Sequence, residues 1–267
     1  MGRSAIVTGA SSGIGLATAR LLITRGYQVA LVARGRADLE RAAAELGDRA
    51  YARPCDVADI EALGGLVSEC ADRFGAIDVL VNNAGAHYRG SMLRHSPHDL
   101  ARMIDVNTAA PIALTRAVVD HMPRGGVIVN VTSLAGKVPV PGSATYSGSK
   151  AGLRFWALAA AEDLAPLGIR IANVNPGPVD TGFFAGDLDN VAPITFSQPM
   201  STADEVAQAV WKAIESDKSP LEIDVPAMSG RLSTLGYVSP HLRRVLRPVL
   251  EKRGQRVKEE LKRRAQS

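Results

Sequence analysis

The chain has 267 residues, 46% hydrophobic and 22% charged, a balance that excludes a largely disordered polypeptide. Its two cysteines, Cys55 and Cys70, exclude a disulfide framework, and no apolar run reaches the ~18 residues of a membrane span. Net charge is +4 but uneven: from Arg231 on there are 11 basic against 3 acidic residues, leaving 20 against 24 before it, so an acidic body carries a basic tail.

Strand-like and helix-like segments alternate along the body. Ser4 to Thr8 is a short apolar run ending in a glycine turn, and Gly13 to Arg25 carries Ile14, Ala17, Leu21 and Leu22 at helical spacing. Val29 to Ala33 reads as a second strand, and Leu39 to Leu46 as an Ala-rich helix closed by Gly47. A third strand lies near Tyr51 and Ala52, a helix follows over Ile60 to Phe74, and Ile77 to Val81 is a fourth strand. A long helical stretch covers Pro97 to Met122, then a fifth strand Val127 to Val131, a helix Tyr146 to Leu167 and a sixth strand Ile169 to Val174. Val179 to Met200, rich in Gly, Pro and Asp and carrying Phe183, Phe184 and Phe196, reads as a loop with an apolar lining, a candidate lid. Leu221 to Val225 is a candidate last strand. Strands apolar on both faces, alternating with helices, predict a doubly wound parallel α/β sheet of the Rossmann type. Residues 1–228 form the expected dinucleotide-binding unit and 229–267 a basic, helical extension.

The first strand-to-helix turn, Thr8-Gly9-Ala10-Ser11-Ser12-Gly13-Ile14-Gly15, is where such a sheet binds a pyrophosphate. Glycines let the backbone approach, and the helix N-terminus offers N–H groups and partial positive charge. Tyr146 precedes Lys150 by four residues, one helical turn, so an ammonium lies near a phenol and favours its ionised form. Ser133 follows the fifth strand, Asn82-Asn83-Ala84-Gly85 ends the fourth, and Asp56-Val57 follows the third, all on the carboxyl edge where ligands bind. Asn107 stands inside a helical stretch, where asparagine is a poor choice without a reason. The second strand ends Val32-Ala33-Arg34-Gly35-Arg36, with no acid to bind ribose hydroxyls and with basic groups for a 2′-phosphate. NADP(H) is therefore expected over NAD(H).

Together these segments resemble the classical short-chain dehydrogenase/reductase family over residues 4 to about 225. The glycine turn resembles the family's cofactor turn, Asn82-Asn83-Ala84-Gly85 its fourth-strand motif, and Pro176-Gly177-Pro178-Val179-Asp180-Thr181 its motif after the sixth strand. Asn107, Ser133, Tyr146 and Lys150 fall on its catalytic tetrad. The resemblance implies a carbonyl–alcohol oxidoreductase of the carbonyl reductase or 3-oxoacyl reductase kind, with the hydride from nicotinamide and the proton from Tyr146. Ser133 holds the carbonyl oxygen, Lys150 binds the ribose hydroxyls, and Asn107 completes a proton relay. By the same resemblance Gly9, Ser11, Ser12, Gly13, Ile14, Gly15, Val57, Asn83, Ala84, Gly85, Pro176 and Gly177 contact the dinucleotide. Asp56 meets its adenine, and Val179 and Thr181 meet its carboxamide. Ser133, Tyr146 and Phe183 face a small-molecule substrate. A homodimer or homotetramer through the two long helices is implied as well. A non-catalytic dinucleotide sensor, or a docking protein acting through its tail, are the alternatives on the same fold.

In the tail, Leu242, Val245, Leu246, Val249 and Leu250 form an apolar stripe, Pro248 interrupts or kinks the helix, and a second segment is expected over Lys252 to Arg264. Such a helix either packs on the body or a neighbouring subunit, or lies on an anionic membrane surface. Few aromatics argue against nucleic acid. With no signal-like apolar segment at its start, the chain is expected in the cytoplasm. The five histidines show no metal spacing, so no metal is expected.

Overall fold

The structure, a computed structural model, describes residues 2–181, 188–218, 221–238 and 240–266, without the side chains at 235–246 and 264–266. In chain order its elements are β1 (Ser4–Thr8), α1 (Gly13–Thr24), β2 (Gln28–Ala33), α2 (Arg36–Leu46), β3 (Ala50–Pro54), α3 (Ile60–Phe74) and β4 (Val79–Asn82). Then come α4 (Pro97–Ile104), α5 (Ala110–Val119), β5 (Val127–Val131), α6 (Ala144–Leu164), β6 (Arg170–Pro176) and β7 (Val179–Asp180). The chain closes with β8 (Ser201–Thr202), α7 (Ala203–Glu215), β9 (Glu222–Val225), α8 (Ala227–Val238) and α9 (Pro240–Gln266).

Seven strands pair in parallel in the order β3-β2-β1-β4-β5-β6-β9, the doubly wound sheet expected from the sequence. Alternate residues of one strand face opposite layers. Val7, Leu31, Val81 and Val129 pack with α1, α2 and α7, whereas Ile6, Ala30, Leu80 and Ile128 pack with α3, α5 and α6. All eight of these strand residues are fully buried. This double burial is why the strands read as continuous apolar runs. The order reverses between β1 and β4, which opens a crevice at their carboxyl ends. Thr8 Oγ1 fastens the two sides there, accepting from the backbone N–H groups of Asn83 (2.9 Å) and Ala84 (3.0 Å).

Three features differ from the sequence expectation. Helix α7 is added between the loop and the last strand, opened by a Thr202–Glu205 capping box and burying Val206, Val210, Ala213 and Ile214. The loop after β6 is pinched at its base, because β7 and β8 pair in parallel. The tail is one helix through Pro248 rather than two segments. Proline removes one intrahelical donor, but the part of α9 that follows is fastened to the body. Gly254 lies against Pro193, and Lys258 and Lys262 bond to Asp189 and Val191. The tail's expected stripe is only partly described: Val249 is 67% exposed, and Leu242, Val245 and Leu246 lie outside the described side chains. Among the described residues, no helix is long and apolar enough to cross a membrane.

Candidate active site

One cavity of about 710 Å³ runs along the carboxyl edge of the sheet. Its floor at β1 is the glycine turn. Gly9 and Gly13 have φ of +65° and +53°, the left-handed region where only glycine is unstrained. A methyl on Gly9 would meet Asn83 Nδ2 at 2.8 Å, and one on Gly15 would meet the Gly9 carbonyl oxygen at 2.2 Å. Glycine is thus required for close packing at both. Helix α1 begins at Gly13 with no side-chain cap from Ser12, so its first N–H groups face the cavity beside Ser11, Ser12 and Ile14. This arrangement fits a dinucleotide pyrophosphate, and a cradle filled by side chains would not.

Toward β2 and β3 the cavity is lined by Arg34, Gly35, Asp38, Asp56 and Val57. Asp56 accepts from Ala58 N–H at 3.1 Å and pairs with Arg102 of α4. Burial pushes its carboxyl up, but the Ala58 N–H, the Arg102 guanidinium and the charge of Arg34 outweigh this and hold it below the usual range. Arg36 is not in the lining; it pairs with Glu40 on the outer face of α2. Gly15 lies behind the turn, and Asn83, Ala84, Gly85, Pro176, Gly177, Val179 and Thr181 line the wall.

At the other end Ser133, Tyr146 and Lys150 share the cavity wall. Ser133 follows β5, and its Oγ accepts from Ala135 N–H at 3.1 Å and donates to the Pro176 carbonyl at 3.4 Å, on the same wall as the Tyr146 phenol. The His87 ring stacks on Tyr146 at 4.0 Å between centroids, 14° from parallel, and His87 Nε2 lies 3.0 Å from Ser143 Oγ. Lys150 is 4% exposed, and its Nζ donates to the Val131 carbonyl at 2.9 Å. Burial lowers Lys150 to about 8.

The expected lowering of Tyr146 by Lys150 is not what this arrangement gives. Burial pushes the phenol up, and the opposing influences are the nearby Ser133 hydroxyl and the positive charge of Arg89, itself 8% exposed. Lys150 turns its ammonium to a backbone carbonyl and is weakened as a cation by its own burial.

Asn107 sits just behind this end, in a single π-helical turn, Asp105–Ala109, between α4 and α5. Pro111 explains the irregularity locally, since it has no N–H to donate to the Asn107 carbonyl. The Asn107 side chain clamps Ala86, accepting from its N–H at 2.8 Å and donating to its carbonyl at 2.9 Å, and donates to Ser149 Oγ at 3.0 Å. A methyl on Gly85 would lie 3.3 Å from Asn107 Oδ1 and 3.6 Å from Lys150 Nζ, so both side chains flank one point. Phe183 lies outside the described residues. Sequence reasoning passed over Asp38, Arg89, Arg102, Thr195 and Gln198. Asp38, Arg102, Thr195 and Gln198 reach the cavity wall from segments without a motif, Arg102 pairing there with Asp56, and Arg89 acts on Tyr146 through its charge.

Comparison with known proteins agrees with this geometry. The family model described as short chain dehydrogenase matches residues 3–191. The "Ketoacyl reductase HetN" of Nostoc sp. is 35% identical over 248 residues, 90% of this chain and 86% of that protein. A crystal structure of a short chain dehydrogenase from Burkholderia cenocepacia in complex with NADP superposes with a TM-score of 0.75 at 34% identity, over 83% of this chain and 95% of that one. A 3-ketoacyl-(acyl-carrier-protein) reductase from Brucella melitensis complexed with NADH gives a TM-score of 0.75 at 27% identity, over 84% of this chain and 96% of that one. The chain therefore belongs to the short-chain dehydrogenase family, oxidoreductases that bind a nicotinamide dinucleotide.

Proposed function

We propose that this protein is an NADP(H)-dependent carbonyl reductase, interconverting a ketone or aldehyde with its alcohol. The observation that carries the reading is that Ser133, Tyr146 and buried Lys150, one helical turn from the tyrosine, line the same cavity as the glycine turn. A nicotinamide dinucleotide held by the glycine turn would supply hydride chemistry at the carbonyl carbon. Ser133 holds the carbonyl oxygen, and Tyr146 donates the proton to it as charge develops. Lys150 positions the ribose hydroxyls, and Asn107 fixes the Ala86 backbone and the helical turn behind the lysine. Leu134, Val138 and Val140 give the substrate end an apolar lining, which suits an acyl or aromatic ketone, and the similarity to a ketoacyl reductase favours a 3-oxoacyl group. The test is a panel of ketones and alcohols with both cofactors, followed by reduced-nicotinamide absorbance; no turnover on any member would reject the reading.

The NADP(H) preference rests on Arg34, exposed at the end of β2 and lining the cavity beside a first α2 turn whose Asp38 is engaged by Arg41. Arg34→Ala is expected to weaken NADPH by about 1.5–3 kcal/mol and NADH far less, because only NADPH carries the 2′-phosphate. Fluorescence titration with both nucleotides measures this, and equal losses would show that Arg34 does not read the phosphate.

The same reading includes a two-fold dimer through the outer faces of α4 and α6, where Ile104 (39%) and Phe155 (55%) are exposed. Sedimentation should give at least a dimer, and Phe155→Glu should shift it toward monomer. A monomer at all concentrations contradicts the dimer.

A further inference from the structure

Thr195 and Gln198, from the segment between β7 and β8, line the cavity. Among its described residues that segment has few backbone bonds of its own, Val191 N–H to Leu188 (3.2 Å) and Thr195 N–H to Ala192 (3.0 Å) being one-turn contacts. Helix α9 supplies what it lacks. Lys258, 8% exposed, donates through Nζ to the carbonyls of Asp189 at 3.0 Å and Val191 at 2.7 Å. Lys262 pairs with the Asp189 carboxylate. Gly254 brings the helix backbone so close that a methyl there would lie 1.8 Å from the Pro193 carbonyl oxygen. A second cavity of about 320 Å³ lies against α9, and Gln198 lines both cavities, so it is shared by the substrate space and the tail. Gln198 Oε1 is buried with no hydrogen-bond partner among the described residues. A buried acceptor left unpaired is costly unless a ligand donor satisfies it.

We propose that α9 determines substrate recognition by holding the Gln198 wall in place, with Lys258 as the positioning residue and Gln198 as the residue that meets an N–H or O–H of the substrate. A lysine with its ammonium buried against two carbonyls contributes little as surface charge; it closes the loop segment as a strap closes a lid. Burial holds that ammonium below the usual lysine range, with Lys262 acting the same way and Asp189 opposing. This inference rests on the carbonyl reductase reading for its substrate and on the contacts above for its mechanics.

Lys258→Met keeps the side-chain length and removes both donors, and Lys258→Arg retains donors. Two readouts on the full chain, saturated with NADPH, test the proposal. The first is amide hydrogen exchange of residues 188–198. It should rise about tenfold or more in Lys258→Met, the worth of one charge-assisted hydrogen bond, while β5 and α6 stay protected. The second is steady-state kinetics on the best ketone of the panel. KM should rise about tenfold or more with kcat and NADPH affinity within about twofold, Lys258→Arg should restore most of it, and Gln198→Leu should raise KM without adding to Lys258→Met in the double variant. Unchanged exchange, or raised exchange with unchanged KM, overturns the proposal, as does full additivity of the two substitutions. If the wild-type protein turns over no ketone, the carbonyl reductase reading fails, and exchange decides the strap by itself.

Discussion

Tyr146→Phe should lower turnover by at least ~10²-fold, the low end for general acid catalysis, while NADPH still binds. The substitution removes one hydroxyl and keeps the ring, so the His87 stack and the helix that carries Lys150 persist. The glycine turn and the wall at Asn83 to Gly85 do not touch that hydroxyl, so cofactor affinity should change by less than about threefold. The sign of the pH dependence follows from the burial of the phenol, which raises its pKa. Below that pKa the acid form is present, so reduction should hold across neutral pH. The reverse oxidation needs the ionised phenol and should accelerate as pH rises. Near-wild-type turnover of Tyr146→Phe would remove Tyr146 from the chemistry.

Lys150→Met should abolish most activity and yet leave the fold as stable as before or more so. Lys150 is 4% exposed, its ammonium donates a hydrogen bond to the Val131 carbonyl, and burial lowers it to about 8 from 10.5. Below pH 8 both folded and unfolded chains hold the proton, and the folded chain carries the full cost of burying the charge. Between 8 and 10.5 the unfolded chain holds more protons, so stability rises with pH until the cost is gone. The cost has an upper bound on the order of 3 kcal/mol, reduced by the lost Val131 bond. The variant's advantage in melting temperature should therefore be largest at pH 7 and vanish near pH 10.5. A melting temperature several degrees below wild type at pH 7 would mean that Lys150 is there for the fold and not for the reaction.

The strands were legible because both faces are buried, so Ile6-Val7, Leu80-Val81 and Ile128-Val129 read as apolar runs whichever layer each residue meets. The glycine turn, Asp56, Asn83, Ser133 and Gly177 converge for a reason also visible in the sequence: each follows a strand, and a parallel sheet puts all carboxyl ends on one edge, which Tyr146 and Lys150 reach from α6. Helix α7 was passed over although Thr202 and Glu205 form a capping-box spacing before Val206 and Val210, because its neighbourhood read as the end of a loop. Pro248 was given too much weight: a helix fastened beyond it by Gly254 and Lys258 survives the missing donor. Arg36 and Arg34 looked alike in sequence, and only the turn into α2 separates the one paired with Glu40 from the one facing the cavity. Arg89 and Arg102 carry no local signal, since each acts through a partner tens of residues away, as in the Arg102 pair with Asp56, and Gln198 stands in a segment without a motif. The direction of the Tyr146 shift was not legible either. It depends on how deeply the phenol and the ammonium are buried, which spacing along a helix does not report.

The most direct test of carbonyl reduction at Tyr146 is a product measurement under single-turnover conditions, with enzyme in excess over NADPH and the best ketone of the panel. The account predicts one alcohol formed for each NADPH consumed by wild-type protein, and neither alcohol formed nor NADPH consumed on the same timescale by Tyr146→Phe with nucleotide bound. Nucleotide that binds to the wild-type protein and stays unconsumed with every ketone and aldehyde offered would contradict it and favour a dinucleotide sensor on this fold.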